Sequence, residues 1–476
     1  MLISVMATAL ILMAGTESSL KGNYKSAMQA FYSAKAGLEE GRGRLWAGSA
    51  QRFATPVFPS TNTAMLPGQA AYIVNPSAGE TVDPTDPSNP YFDSEFQQEW
   101  GSAPSTSAPK LPSTSPGASL AGPLYKWVRI AARTEASAGL DVNGDATVDS
   151  ANPLFYDGKQ QLLSSSAGTS VPGAAHAWQV YTITALAVTP GPGLLPSRRM
   201  VQYTVATAAV SGFTLPAALT LQGTTPTYQG QSYSGFFING SDRSGHNLTS
   251  CVLPSQPPVA AIGVMHNSYK SEVGAAIPVS ANYTGAEAPT NDGRLGLPPT
   301  PDVEKIVSFI PSSFQSPQDY ENFVSALTSL ATESVSGGAT SLPNYGTAAN
   351  PVVAVVDGDL TLSGNVTGYG ILVVRGNFNF SGTVGWRGIV LVIGNGVINA
   401  SGVGSNEFDG AIFVATTLDS SGNVLSTFGS PQVNWNTGGG GPGTSIGAGV
   451  YYDSCWINNA WAALPYEVLS FREIPQ

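Results

Sequence analysis

The stretch that most constrains this chain is its beginning. No proline occurs before Pro56, and the residues from Met1 to Gly15 (MLISVMATALILMAG) carry no charge. Fifteen residues of α-helix rise about 22 Å, short of the roughly 30 Å of a bilayer's hydrocarbon core. The first polar step comes at Thr16 and Glu17, and the helical pattern then continues. Apolar or small residues recur at Ala27, Ala30, Phe31, Ala34, Leu38 and Leu45, while Lys25, Gln29, Lys35, Glu39 and Arg42 take the other sides. A helix of about 45 residues is a rod roughly 70 Å long. Such a rod cannot fold back into one globule, so its apolar half needs lipid or neighbouring chains. The side chains expected to form that assembly surface are Leu2, Ile3, Val5, Met6, Leu10, Ile11, Leu12 and Met13, followed by Glu17, Phe31 and Leu38.

Composition narrows the class of the remainder. The 476 residues hold 20 Lys plus Arg against 31 Asp plus Glu, a net charge of −11, and only 11% are charged. The usual charged share is about 25%. Without a Lys/Arg cluster the chain lacks the basic footprint that nucleic-acid binding needs. Glycine (54) and proline (35) are abundant, and 42% of residues are hydrophobic, too many for a disordered chain. The expectation is a β-rich chain that works outside the cytoplasm. Cys251 and Cys455 form no CxxC pair, and with His176, His246 and His266 scattered they build no zinc site. They are either a disulfide, which an oxidising compartment would favour, or two buried free thiols.

The segment ALILMAGTESSLKGNYKSAMQAFYSAKAGLEEGRGRL resembles the N-terminal region of PilX-type type IV pilin-like proteins. Thr16, Glu17, Gly22, Asn23, Ala30, Phe31, Tyr32, Ala34, Ala36, Gly37, Leu38 and Glu39 fall on that family's pattern. The resemblance implies a short basic leader, a prepilin-peptidase site and further apolar residues ahead of Met1. It also implies that the apolar half sits in the inner membrane before assembly and afterwards packs against other pilin subunits, copies or relatives of itself. Cys251 would then be stapled to Cys455 in the closing segment.

Residues 49–122 are rich in Pro, Ser, Thr, Ala and Gly and are expected to be linker or surface loop. Three strand-like runs follow, Tyr125–Thr134, Trp178–Val188 and Met200–Val210, rich in β-branched and aromatic residues. They predict a pilin-like β domain over 123–212. Between the first two lies Asp141-Val142-Asn143-Gly144-Asp145-Ala146-Thr147-Val148-Asp149, with Asn152 at loop position twelve. Ca²⁺ takes six to eight oxygens, and this spacing points Asp141, Asn143, Asp145, Thr147, Asp149 and Asn152 inward. The loop resembles the EF-hand-like loops of dockerin-type repeats, although Ala146 replaces the usual glycine. Ca²⁺ is therefore the candidate ion, and an Asx-rich turn is the plain alternative.

The C-terminal part repeats. Val353–Ser363, Ile371–Ser381 and Ile389–Asn399 align without gaps at a spacing of 18 residues, each with a glycine corner (Gly358, Gly376, Gly394). A partial fourth unit starts at Ala411. Fixed spacing with repeated corners predicts a parallel β-helix or similar solenoid over 213–476. Leu215–Gly223, Phe236–Asp242 and Val259–Val264 are expected as outer rungs. A helical insert is expected at about 300–334, with Val303, Ile306, Val307 and Ile310 on one face and a capping-box start at Ser316–Asp319.

No catalytic site is expected. Gly443-Thr444-Ser445-Ile446-Gly447 matches GxSxG but has no strand or helix around it. Asp357, Asp359, Arg375, Arg387 and Asp409 would share a solenoid face, yet most sit at corners where polar residues belong anyway. The fold class is α+β: a long N-terminal helix (1–48), an antiparallel β-meander head and a C-terminal β-helix-like solenoid with a helical insert. The expected role is a structural subunit of an extracellular, bacterial type IV pilus-like filament. The alternatives are a minor or tip pilin with an adhesive role, or a membrane-anchored β-helix protein acting on or binding polysaccharide, with surface glycans as partners.

Overall fold

The helix runs unbroken over Leu2–Leu45 in the computed structural model. The structure describes residues 2–46, 65–113, 124–149, 151–156, 162–164, 178–189, 196–207, 213–231, 235–243, 251, 256–278, 282–286, 300–402, 406–437, 448–461 and 463–475. Glycines at positions 15, 22, 37, 41 and 43 each cost the helix about 1 kcal/mol relative to alanine. Packing offsets that cost at Gly37 and Gly41. A Cβ added at Gly41 would lie 2.7 Å from Ile183 Cγ2, and one at Gly37 would lie 2.9 Å from Val128 Cγ2. The glycines let the helix axis approach a β-sheet closely.

That sheet has six strands, in the order Lys110–Pro112, Ala70–Val74, Tyr125–Ala132, Tyr181–Thr189, Ser197–Thr207 and Tyr466–Ile474. Its first pair is parallel and the rest are antiparallel. Alternation puts Val128, Ile130, Ile183, Ala185, Val201 and Val205 against helix residues Ala34, Leu38 and Leu45. The opposite face packs Tyr72, Trp127, Leu186 and Met200 around Phe96 of the short helix Ser94–Trp100. Across that face Tyr72, Arg129, Thr184, Gln202 and Arg472 stand in one row on neighbouring strands. Arg129 is fully buried, and its NH1 donates to both oxygens of Asp93 at 2.9 and 2.8 Å. Arg472 Nε donates to Gln202 Oε1 at 2.7 Å, tying in the last strand.

Two expectations change here. The stretch 49–122 does not act only as linker: Ala70–Val74, Ser94–Trp100 and Lys110–Pro112 are built into this unit. Its averaged composition conceals Tyr72, Phe96 and Trp100, which carry the packing. The C-terminal residues also return to the first sheet rather than closing the second region. One unit comprises Met1–Ala208 with Tyr466–Gln476, and the other Ala209–Pro465.

The second unit is a large, curled parallel sheet. Its register follows the repeat: Val353, Ile371, Ile389 and Ala411 are successive partners across four strands. Inward side chains stack, as in Phe378, Phe380, Phe408 and Trp435, whose rings lie within 6.4 Å of their neighbours. Gly388 turns its strand at φ 131°, and a Cβ there would meet Gly370 O at 2.3 Å. The strands Ala217–Gln222 and Ala260–Val264 pair in parallel with each other, and the first also pairs with Glu407–Thr416.

The expected helix at 303–310 is not formed. Val303–Lys305 is instead a strand beside Ala260–Val264, followed by single 3₁₀ turns at Val307–Phe309 and Ser312–Phe314. β-branched Val303 suits a strand, and Pro311 stops further winding. The second part of the insert forms the helix Pro317–Ser329, with the Ser316/Asp319 capping box in place.

Candidate functional sites

The N-terminal helix presents the first site. The backbone of Leu2, Ile3, Val5, Met6, Leu10, Ile11 and Leu12 is helical, and their side chains lie outside the described residues. Met13 is 69% exposed, and Glu17 pairs with Lys21 at 2.6 Å on the surface. Phe31 is half-buried against Phe471, and Leu38 is fully buried. Leu20, Tyr24, Ala27, Phe31, Ala34 and Leu38 follow one stripe at steps of three and four. The sheet's hold begins near Ser26, whose carbonyl accepts from Thr189 Oγ1 at 2.9 Å. Beyond it the same stripe emerges bare: Tyr24 is 70% and Leu20 69% exposed. No helix among the described residues is long and apolar enough to cross a membrane.

The Asp141 loop is the second. Asp141 accepts the N–H groups of Gly144 and Ala146 at 2.8 and 2.9 Å, and Asn143 Oδ1 accepts that of Asp145 at 3.0 Å. Asp145 Oδ1 accepts from Thr147 N at 2.8 Å and from its hydroxyl at 2.5 Å, which holds the Asp145 carboxyl below the usual range. Asn152 Nδ2 donates to Asp149 Oδ2 at 2.8 Å. Ala146 adopts φ 68°, the conformation for which glycine is the usual residue. The sequence reading missed Glu135. Its buried carboxylate receives the N–H groups of Val142 and Asn143 at 3.1 Å and of Asp149 at 3.3 Å, closing the loop's base. The loop's donors are oxygens, the atom type a hard cation takes, but among the described residues the Asp141, Asp145 and Asp149 carboxylates do not gather into a group close enough to share an ion.

The third is a polar row in the curled sheet. Tyr369, Arg387, Asp409, Tyr451 and Asn239 are successive partners on adjacent strands. Asp409 is buried between Arg243 NH1 at 2.5 Å and Arg387 Nε at 3.4 Å. Burial outweighs both guanidinium groups and pushes its carboxyl up to about 6. The helix Ser454–Trp461 lies over these strands, with Asp453 accepting from Trp456 N at 3.0 Å at its start. Burial, then the carboxylates of Asp409 and Asp242, push Asp453 up to about 7 against its backbone hydrogen bond. Cys251 and Cys455 form a disulfide, with Cα atoms 5.8 Å apart. Among the described residues, Cys251, Asp453 and Cys455 are one group close enough to share an ion, but the disulfide consumes both sulfurs. Asp357 pairs with Arg375 at 3.5 Å, and Arg375 also pairs with Glu321. Asp359 Oδ1 accepts from Asn377 N at 2.7 Å. Ser445 lies outside the described residues.

No protein-family model matches the sequence, and a search of curated proteins finds no match. Among solved structures, the competence-associated pilin ComZ from Thermus thermophilus is similar at 11% identity, over 70% of this chain and 90% of that one, with a TM-score of 0.17. A likeness of that size carries no argument about this chain.

Proposed function

We propose that this chain is a PilX-type, pilin-like subunit of an extracellular type IV pilus-like filament, and that its work is assembly rather than catalysis. The observation that carries this reading is the continuity of one stripe. The apolar face buried by the sheet at Leu38 and Ala34 runs on, bare, through Tyr24 and Leu20. Fully burying a large apolar side chain is worth about 1.5–3 kcal/mol. The same segments of neighbouring subunits bury it in the filament, and the inner membrane shelters it beforehand. The six-stranded sheet on the lower half of the helix serves as the head. The curled parallel sheet is a β-helix-like domain displayed to the medium, and Ca²⁺ rigidifies the Asp141 loop. Replacing Leu20 and Tyr24 with lysine tests the reading. Filaments disappear under the electron microscope while the head keeps its melting temperature; filaments of normal length from this variant contradict it.

A further inference from the structure

One broad face of the curled sheet has no assigned use. Thr361, Asn379, Asn399, Asn434 and Gln229 form an in-register row across five parallel strands. Two residues further along each of four of these strands, Ser363, Ser381, Ser401 and Asn436 form a second row. Their neighbours in sequence, such as Leu362, Phe378, Phe380, Ile398 and Trp435, are buried, so alternation turns both rows outward. Thr361, Gln229, Ser363, Ser401 and Asn436 are exposed. Neither row contains a charged or an aromatic side chain.

The row is also ordered. Asn399 Nδ2 donates to Asn379 Oδ1 at 3.0 Å, and Asn434 Nδ2 donates to Asn399 Oδ1 at 2.9 Å. Each amide nitrogen has two hydrogens, and the ladder uses one of them. The second is held in a fixed direction at a pitch of about 4.8 Å, the spacing of adjacent strands. Donors fixed in advance lose little freedom when a ligand arrives.

The chemistry of the face selects its occupant. Nothing in either row ionises near neutral pH, and the carboxylate beside them, Asp359, already accepts from Asn377 N at 2.7 Å, so a polyanion finds no cation there and a polycation no run of carboxylates. Nothing in either row is greasy, so an apolar partner gains no burial. Hydroxyls and amides both donate and accept, which is also what sugar hydroxyls do. We infer that this face binds a neutral polysaccharide chain through its repeating hydroxyl groups.

The full-length chain, mixed with microcrystalline cellulose and, separately, with an alginate gel, tests the inference. The expected result is retention on cellulose that persists from about 50 to about 500 mM salt, where long-range charge attraction is screened. Ser401→Lys combined with Asn436→Lys places ammonium groups on the face without touching the amide ladder. This variant should lose about ten-fold or more of the affinity, with an unchanged melting temperature; should it melt early, Thr361→Lys carries the same comparison. Failure to bind cellulose overturns the inference, as does equal binding by the variants. Binding confined to alginate and released by salt also overturns it. The inference is independent of the filament reading: Leu20→Lys leaves retention on cellulose unchanged.

Discussion

Thr207 and Tyr466 face each other as antiparallel partners in the first unit's sheet, although the whole second unit lies between them in sequence. Two strands that end side by side need only a two-residue turn to join them. Replacing residues 208–465 with Asn-Gly should leave a chain that folds cooperatively, with the β-rich circular dichroism of a sheet packed on a helix. Removing Tyr466–Gln476 instead should destabilise the first unit, because Gln202 loses Arg472 and Phe31 loses Phe471.

Gly41 and Gly43 lie on the same helix and predict opposite outcomes. Gly→Ala gains about 1 kcal/mol of helix propensity at either position. At Gly43 nothing lies within 4 Å of the new methyl, so the gain should appear as a higher melting temperature. At Gly41 the methyl meets Ile183 at 2.7 Å and Val128 at 3.0 Å. Overpacking of this kind costs typically about 1–3 kcal/mol, and Gly41→Ala should therefore lower the melting temperature.

Asp453 and Asp409 make the second unit acid-favoured. Their folded-state values, pushed up to about 7 and about 6, exceed the ordinary carboxyl value of about 3.9. The folded state therefore binds protons more tightly than the unfolded state. The resulting stabilisation is fully present below about pH 4 and is lost as pH rises through the folded values. Melting of the isolated 209–465 unit, with its disulfide intact, should come at lower temperature at pH 8 than at pH 5. Asp453→Asn keeps the helix cap and should flatten that slope.

Ca²⁺ should raise the melting temperature of the first unit, and Asp141→Ala or Asp145→Ala should abolish the rise. Calorimetric titration at millimolar Ca²⁺ reads the binding directly; absence of heat removes Ca²⁺ from the account.

Much of this architecture was legible because it rests on periodicity. The proline-free start gave the helix, and the spacing of Gly358, Gly376 and Gly394 gave the parallel register that pairs Ile371 with Ile389. What escaped depends on distant partners. Averaged composition dissolved the strand Ala70–Val74 into its proline-rich surroundings, because Tyr72 becomes a core residue only when Trp127 lies beside it. Val303 and Ile306 satisfy a helical pattern locally, yet a parallel neighbour at Ile262 makes Val303 part of a strand. Glu135 stands outside the Asp141 motif, and only the folded loop brings it beneath Asn143. Arg387 and Asp409 were visible as candidates, but Arg243 reaches Asp409 from a segment far away in sequence.

Helical reconstruction of the assembled material by electron cryomicroscopy tests the central claim most directly. The account predicts that the bare stripe through Leu20 and Tyr24 lies against the equivalent helices of neighbouring subunits at the filament axis. A chain that remains single, with this half of its helix surrounded by detergent or lipid and no lateral neighbour, would contradict it.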